Sequence, residues 1–449
     1  MIDLINGSRI ARFALLAALS ASVGACSTAA PKPDAKSALE TDVTPASEQK
    51  IASSDELTQD MPEPDGASGD AAVSPSAESK LSRGFISDLE SALRSARSGD
   101  RNGAVDRLQN LVSDADGGFL AAYNLGALYE NEGDYANAAK RYSQALSKNP
   151  DFSPALLNLV RLYIRLDQPA DARKIAQRYS ELRPENMTHR AVALEVDLTE
   201  GKYEEVIRKA KQILRRAETN VEAMMVMAQA NIELDRLELG AAILSRAREL
   251  RPNRAEIYYK LGQIRIKQEE MDDAMVLLRR AIELNADYPE AHNNLGILYH
   301  RAGDYQSASD EFSAAIASFP DYKEAYLNLG NSLKGQGEFT QAVSSFNKAL
   351  KIDPKYDKAL FNLGVIYLDS DIEGVDKIAR LNKSIEYFDQ YKAAAASKIA
   401  KDDPSDKYVR EARKSIEDEK ARQEMMRQAQ MQVDDEGADV EDDGESFEE

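Results

Sequence analysis

The sequence holds few side chains that could take part in catalysis or metal binding. It has one cysteine, Cys26, and three histidines, His189, His292 and His300. The histidines lack metal-site spacing with a carboxylate or thiolate partner. No glycine-rich phosphate loop, Gly-x-Ser-x-Gly motif or Cys/His pair is present. We therefore predict that the protein is not an enzyme, and that it has no catalytic residue, no metal or cofactor site and no small-molecule substrate.

One polar residue type does recur at a regular spacing. Five asparagines each stand directly before a leucine, and their sequence numbers differ by 34 or a multiple of it: Asn124, Asn158, Asn294, Asn328 and Asn362. A carboxamide offers two donor protons and an acceptor, which suits contact with a peptide backbone whatever its side chains. The elements that position these amides must therefore repeat with the same period.

Apolar and small residues follow the same period. The phrase around Asn294, residues 291–299, returns in recognisable form at three other places: 122–129, 325–330 and 359–367. Within one repeat, Leu295, Gly296 and Tyr299 share one face of a helix at 100° per residue. Gly296 and Ala308 are small enough to let two helices approach closely, and Pro320 ends the second helix. Each repeat is thus predicted to be a pair of packed helices.

These residues resemble the tetratricopeptide repeat (TPR) family of helix–turn–helix units. One such unit leaves an apolar face uncovered, so neighbouring units must stack. The resemblance covers residues 85–400 and implies an all-α, right-handed TPR solenoid of about eight to nine repeats. A helix at 405–431 is predicted to cap its end. The repeats open at Phe85, Phe119, Ser153, Met187, Val221, Ala255, Pro289, Lys323 and Asp357.

The last repeat departs from the period. Its second helix aligns through Ser384, Phe388 and Tyr391, which requires an insertion of about eight residues after Tyr367. Insertions in repeat proteins map to loops and often carry function. A long terminal turn is the simpler interpretation here.

The asparagines occupy repeat position 6, which faces away from the partner helix. In the TPR family this face lines a concave groove, and the resemblance implies that the amide row binds an extended peptide there. Met225 and Tyr259 are further candidates, because they stand beside this row where Val192, Val226 and Lys260 interrupt it. The alternatives are that the asparagines make local contacts and that Met225 fills a gap in the core.

The net charge of −20 is concentrated at the two ends of the chain. Residues 27–80 carry 11 acids and 4 bases, and residues 432–449 carry 10 acids and no base. Both segments have too little apolar content to offset the entropy of ordering, so we predict a disordered linker over 26–80 and a disordered tail over 432–449. The acidic balance argues against binding nucleic acid, which needs a basic face.

Residues 1–25 have the order of an export signal. Arg9 and Arg12 precede a short apolar run over 13–19, and small residues follow at 21–25. The apolar run is too short to cross a bilayer as a stable helix. We predict that 1–25 are removed after export.

The end of that signal resembles the lipobox of bacterial lipoproteins, Val23-Gly-Ala-Cys26. The resemblance implies that the Cys26 thiol receives a diacylglyceryl group, with fatty acids such as palmitate, and becomes the mature N terminus. Ser27, in place of Asp, favours the outer membrane by the sorting rule of enteric bacteria. The alternative is an ordinary secretory signal in which the cysteine is incidental.

These features predict a periplasmic scaffold anchored by lipid to the outer membrane of a Gram-negative bacterium. It would bind envelope proteins and help to assemble a machine for pili, secretion or gliding motility. The alternative is an adaptor that recruits a cell-wall hydrolase or synthase, with some contact to glycan. Exposed aromatic side chains in the groove, of which Tyr259 is one candidate, would favour glycan.

Overall fold

The structure is a computed structural model that describes residues 81–396, 399–400 and 402–441. The predicted signal 1–25, Cys26 and the linker 26–80 lie outside the described residues. All regular elements within these ranges are α-helices, and we number the 19 of them α1–α19. None of the described helices is long and apolar enough to cross a membrane. The chain divides into a first unit that ends at Tyr322 and a second that begins at Lys323.

The first unit consists of seven helix pairs, which we number repeats 1–7. Each repeat has a first and a second helix, and consecutive helices pack against each other. The helices are α1 Arg83–Arg97, α2 Arg101–Leu111, α3 Gly118–Asn131, α4 Tyr135–Lys148, α5 Ser153–Arg165, α6 Pro169–Leu182, α7 Met187–Thr199, α8 Tyr203–Arg216, α9 Val221–Glu233, α10 Leu237–Leu250, α11 Ala255–Lys267, α12 Met271–Leu284, α13 Pro289–Arg301 and α14 Tyr305–Ser318.

The second unit holds repeats 8 and 9 and a long terminal helix. Its helices are α15 Lys323–Gln336, α16 Phe339–Ile352, α17 Asp357–Asp369, α18 Lys377–Ala395 and α19 Ser405–Glu441. Seven of the nine predicted openings are the first residue of a helix, and the other two fall within two residues of one. The all-α fold and its period are confirmed.

A glycine of the first helix lies against a ring of the second helix in several repeats. A Cβ added at Gly296 would stand 2.7 Å from Phe312, and one at Gly330 would stand 2.5 Å from Phe346. Ala308, on α14, is fully buried. The predicted close approach of the two helices is confirmed at Gly296.

The sequence separation between the glycine and its ring partner gives the length of the insertion in repeat 9. Gly364 packs against Phe388, whereas the equivalent glycine of repeat 8, Gly330, packs against Phe346. The partners in repeat 9 are thus further apart in sequence by eight. The additional residues lie between α17 and the middle of α18, and the Ser384 hydroxyl donates a hydrogen bond to the carbonyl oxygen of Gly364 at 2.7 Å. The predicted insertion is therefore present.

The terminal helix α19 packs by its first third and then leaves the core. Val409, Ala412 and Ile416 belong to an apolar cluster that also contains Phe388. The side chains of residues 420–432 are all exposed. The helix continues to Glu441, beyond the predicted end at residue 431, and Glu424 pairs with Arg427 within it. Such i,i+3 pairs stabilise exposed helix.

The turn inside each repeat brings one residue into the left-handed region of the backbone. Glycine occupies that place in repeat 7, where Gly303 has φ 81°, but Glu269 occupies it in repeat 6 with φ 62°. An L side chain in this region costs about 1–2 kcal/mol. The turn of repeat 6 is therefore strained.

Replacing Glu269 by glycine is expected to stabilise the protein. Relief of the strained φ outweighs the extra entropy that glycine loses on folding, for a net gain of roughly 0.5–1 kcal/mol. Thermal unfolding of the full chain by circular dichroism measures it. The control is Gln268→Gly, because its φ is −84° and glycine brings no relief there. A lower melting temperature for Glu269→Gly would contradict the argument.

His292 stands at a buried position of repeat 7 that repeats 2, 3, 5 and 9 fill with apolar side chains. Its Nδ1 lies 2.7 Å from Oε2 of Glu311, and its Nε2 lies 2.9 Å from the carbonyl oxygen of Ala286. Both partners only accept, so the doubly protonated ring alone satisfies both. Burial lowers the pKa of His292, but the hydrogen bonds to Glu311 and Ala286 and the charges of Glu311 and Asp287 outweigh it and raise the pKa above its ordinary value.

A raised pKa stabilises the fold below the pKa of the unfolded state, near 6.5, and that stabilisation is lost as pH rises through the folded pKa. We expect His292→Gln to have a lower melting temperature than wild type at pH 6. The difference in melting temperature should be smaller at pH 8 or above. The lost interaction corresponds to roughly 1.5–3 kcal/mol. His300→Gln is the control, because burial lowers the pKa of His300 and its trend with pH should have the opposite sign. A constant gap for His292→Gln between pH 6 and 8 would contradict the assignment.

Candidate functional site

The first helices of the first unit carry a network of ion pairs, and we call the surface that holds it the first-helix face. Arg161 of α5 lies at its centre. Its Nη2 is 2.7 Å from Oε1 of Glu195, on α7, and 2.6 Å from Oε1 of Glu256, on α11. Arg161 thus joins repeats 3, 4 and 6.

Glu256 is shared between two guanidinium groups. Its second oxygen, Oε2, lies 2.8 Å from Nη2 of Arg254, whose Nη1 lies 2.6 Å from Oε1 of Glu222. Burial raises the pKa of Glu256, but Arg161, Arg254 and Lys260 outweigh it and hold the pKa far below its usual range. Glu256 is therefore ionised at neutral pH.

Arg165, one turn after Arg161, extends the network. Its Nη1 lies 2.7 Å from Oε1 of Glu130, its Nη2 lies 3.7 Å from Oε1 of Glu290, and its guanidinium stands 4.9 Å from the ring centre of Phe319. Repeat 3 thereby contacts repeat 7. Side chains of the protein itself therefore bridge this face from α5 to α11 and α13.

Lys260 is the one position-6 cation on this face. Its Nζ donates to Oε1 of Gln229 at 2.6 Å. Burial lowers the pKa of Lys260, and the charges of Arg161 and Arg254 act in the same direction, while Glu256 and Glu195 oppose them. A carboxylate brought beside Lys260 would therefore relieve an unfavourable crowding of cations.

This network was not predicted, although the sequence contains a signal for it. Glu222, Glu256 and Glu290 all stand at repeat position 2, and Arg161 and Glu195 both stand at position 9. Positions 2 and 9 share the face of position 6. Acids on a solenoid surface are usually solvated. On that general expectation, these acids and Arg161 are not predicted to pair, although they share one face.

Two of the predicted asparagines join neighbouring first helices. The amide of Asn158 donates to the hydroxyls of Tyr123 and Tyr142, both at 3.3 Å. Asn294 is hydrogen-bonded to Tyr259. Burial raises the pKa of the Tyr259 hydroxyl. Both position-6 amides thus reach the position-5 tyrosine of the preceding repeat, and both lie in the first unit.

The other predicted site residues have different surroundings. Asn124 donates to the carbonyl oxygen of Leu120, in its own helix, at 2.7 Å. In the second unit, Asn328 is fully buried and Asn362 is half-buried. Met225 is buried in an apolar cluster of repeats 5 and 6. It therefore fills the core, which was the alternative to a role in peptide binding. Peptide binding by the amide row stays a prediction.

Tyr259 is also buried rather than presented to solvent. Its ring is 6 % exposed, and its centre stands 5.0 Å from that of Tyr288. Within the described ranges, no cluster of three or more His, Cys, Asp or Glu side chains could hold a metal ion. The chemistry of this face is thus that of charge pairing and amide hydrogen bonds.

Family models match the chain over much of its helical part. A tetratricopeptide repeat model matches residues 131–194 and 197–264, a second TPR model matches 262–303 and 330–371, and a third matches 289–322. All of these models describe repeats, and none describes a catalytic family. No curated protein sequence matches the chain.

Several solved structures are similar to parts of the chain. The crystal structure of MamA is 29% identical over 36% of this chain and 90% of its own, with a TM-score of 0.31. A TPR protein of Thermus thermophilus is 20% identical over 40% and 99%, with a TM-score of 0.36. YrrB, described as a TPR protein with an unusual peptide-binding site, is 19% identical over 50% and 97%, with a TM-score of 0.29. By its helix pairs, its period and the family models, the chain belongs to the tetratricopeptide repeat family.

Proposed function

We propose that the protein is a scaffold whose first-helix face binds acidic segments of partner proteins. The observation that supports this is the bridging of α5 to α11 and α13 by Arg161 and Arg165. These arginines already bind carboxylates that come from distant repeats. A partner that offers carboxylates at the same places would exchange with Glu256 and Glu290.

Exchange of this kind keeps the energetic cost of binding low. Removing the carboxylate that pairs with a buried arginine costs several kcal/mol, because the charge of the arginine is left uncompensated. A partner carboxylate that arrives as Glu256 leaves keeps Arg161 and Arg254 paired. Glu256 then regains hydration at the opened face, so the two states differ by little and the partner's other contacts decide the balance.

A protein segment fits this face better than glycan does. Sugar rings bind by stacking on exposed aromatic side chains, and Tyr259, the aromatic candidate for this role, is buried. The charges of Arg161, Arg165 and Lys260 suit carboxylates instead. We therefore favour the protein scaffold over the cell-wall adaptor.

Substitutions in the network should change partner binding in two directions. In a crosslinked pull-down from intact cells, we expect Glu256→Gln with Glu290→Gln to increase partner capture, because the arginines lose their internal competitors. Arg161→Gln with Arg165→Gln should reduce capture at least tenfold, which corresponds to about 1.4 kcal/mol.

The matched control is Arg427→Gln with Glu424→Gln, which removes an exposed ion pair of α19. Each variant is first checked for helix content and melting temperature, since loss of buried pairs can destabilise the fold. If the folded Arg161/Arg165 variant captures its partners as well as wild type does, the first-helix face is not the binding surface.

We further propose that Cys26 carries the lipid and holds this scaffold at the periplasmic side of the outer membrane. The sequence Val23-Gly-Ala-Cys26 and the single cysteine at the cleavage point support this. Acyl chains contribute about 0.8 kcal/mol for each buried CH₂, so two or more chains anchor a protein stably. The partners would then be proteins of the envelope, in a pilus, secretion or gliding-motility complex.

Cys26→Ser is expected to move the protein from the membrane fraction to the soluble fraction and to abolish labelling with radioactive palmitate. Both changes follow from loss of the thiol that accepts the lipid. Thr28→Ala is the control, because it leaves the four-residue motif intact. Unchanged fractionation and labelling of Cys26→Ser would refute the anchor and leave the first-helix face untouched.

A further inference from the structure

Two grooves lie in successive repeats, each between two second helices and the first helix that they flank. The first has a volume of about 200 Å³ and lies between α6, α7 and α8. The second has a volume of about 300 Å³ and lies between α8, α9 and α10. They are the same groove in successive repeats: Ser180, Arg190, Ala193 and Lys209 line the first at the positions where Leu214, Met224, Met227 and Ile243 line the second.

The first groove is polar, and we call it the basic cup. Asp197 replaces the tyrosine found at this position in repeats 2, 3, 7 and 9. It is buried and pairs with Nη1 of Arg173 at 3.1 Å and Nζ of Lys209 at 2.9 Å. Those two cations also pair with Glu200 and Glu205. Arg190 is exposed and forms no ion pair with another described residue, so it supplies the free charge of the cup.

The second groove is apolar, and we call it the apolar cup. Met224 forms part of its floor, with Met227, Ile243 and Leu214 around it. Leu239, four residues before Ile243 on α10, is 50% exposed. An apolar groove that is open to water gains free energy when another apolar side chain enters it.

The two cups lie on either side of α8, which lines both of them. Lys209 and Leu214 are five residues apart on that helix, so they lie about 140° apart around its axis and line different cups. α8 carries five basic and two acidic residues in a chain whose formal net charge is −20. The surface therefore suits a segment that places carboxylates beside apolar side chains.

The chain itself contains such a segment. Residues 52–66 carry five acids and no base, and Leu57 and Met61 are four residues apart among them. If residues 52–61 form a helix that ends before the prolines at 62 and 64, Leu57 and Met61 share one face. In that same helix Glu56 and Asp60 form an acidic row directly beside this apolar face.

The segment is also close enough along the chain. Fourteen residues, 67–80, connect residue 66 to residue 81, where the described structure begins, and the fifteen steps between those two residues span up to about 50 Å when extended. Three repeats separate α1 from the cups. With a helix diameter of 10–12 Å, that distance is roughly 30–36 Å.

We propose that the basic and apolar cups bind residues 52–66 of the same chain. Leu57 and Met61 occupy the apolar cup, and the neighbouring carboxylates pair with Arg190 of α7 and with the cations of α8. Residues 52–66 belong to the predicted linker. By binding the cups, they hold the N-terminal part of the chain against repeats 4 and 5.

Site-specific photocrosslinking tests this arrangement. A benzophenone amino acid replaces Leu57 in the purified full chain, and crosslinked peptides are identified by mass spectrometry. We expect crosslinks to α9 and α10, with a yield at least fivefold lower when Arg190→Glu and Met227→Ser are combined. Val276→Ser, an exposed apolar residue of α12 outside both cups, is the matched control and should leave the yield unchanged.

A second variant leaves the solenoid intact. Glu56→Lys with Asp60→Lys should lower the yield by the same factor, and Arg190→Glu added to it should restore part of the yield. Crosslinks spread over the other repeats, or a yield that neither set of substitutions changes, would overturn the proposal.

Dilution identifies the occupant. A yield per chain that is constant over a hundredfold dilution supports binding within one chain. A product of twice the mass whose yield falls on dilution would assign the cups to a second copy and overturn the proposed occupant. A crosslink to another protein in cells, with none in the purified chain, would overturn it in favour of an external partner.

Discussion

Packing within each repeat depends on the volume available where the first and second helices cross. In repeats 2, 7 and 8 a glycine of the first helix faces a tyrosine or phenylalanine at a distance that leaves no room for a Cβ. Repeats 3 and 4 reverse the distribution, since Val160 and Leu194 stand at the glycine position and buried alanines, Ala176 and Ala210, stand at the ring position. The quantity that stays nearly constant along the chain is the sum of two side-chain volumes, as dense packing requires.

This reciprocity explains how far the fold could be predicted from the sequence. The period and the glycine phrases predict the strong repeats, and the first helices of repeats 7, 8 and 9 begin at the predicted residue. Repeats 1, 4 and 5 match the phrase weakly because the large residue has moved to the other helix, or because alanine replaces glycine, as with Ala228 facing Leu244 in one cluster. A rule about residue types misses such repeats, whereas a rule about summed volume includes them.

The ion-pair network lies beyond such local rules. Arg161 and Glu256 are 95 residues apart, and their contact arises from the curvature that accumulates over three repeats. Each crossing adds a small rotation, and the sum decides whether position 9 of repeat 3 meets position 2 of repeat 6. The sequence indicates which positions share a face, but the pairing across that face depends on a geometry that no single repeat encodes. The predicted lipid anchor, by contrast, needs no tertiary geometry, since four consecutive residues specify it.

Position in the repeat fixes which face a residue occupies, and the neighbours fix its role. Asn124, Asn158 and Asn294 share position 6, yet one bonds within its own helix and the other two bond to tyrosines of the preceding repeat. The preceding repeat offers a tyrosine at position 5 only in the latter two cases. Likewise, Asp197 and Met227 acquire distinct surroundings because their repeats diverge at the same groove. A solenoid with nearly identical backbones can therefore hold unlike binding surfaces on adjacent repeats: a bridged, charged face on the first helices, and a basic cup beside an apolar cup on the second helices.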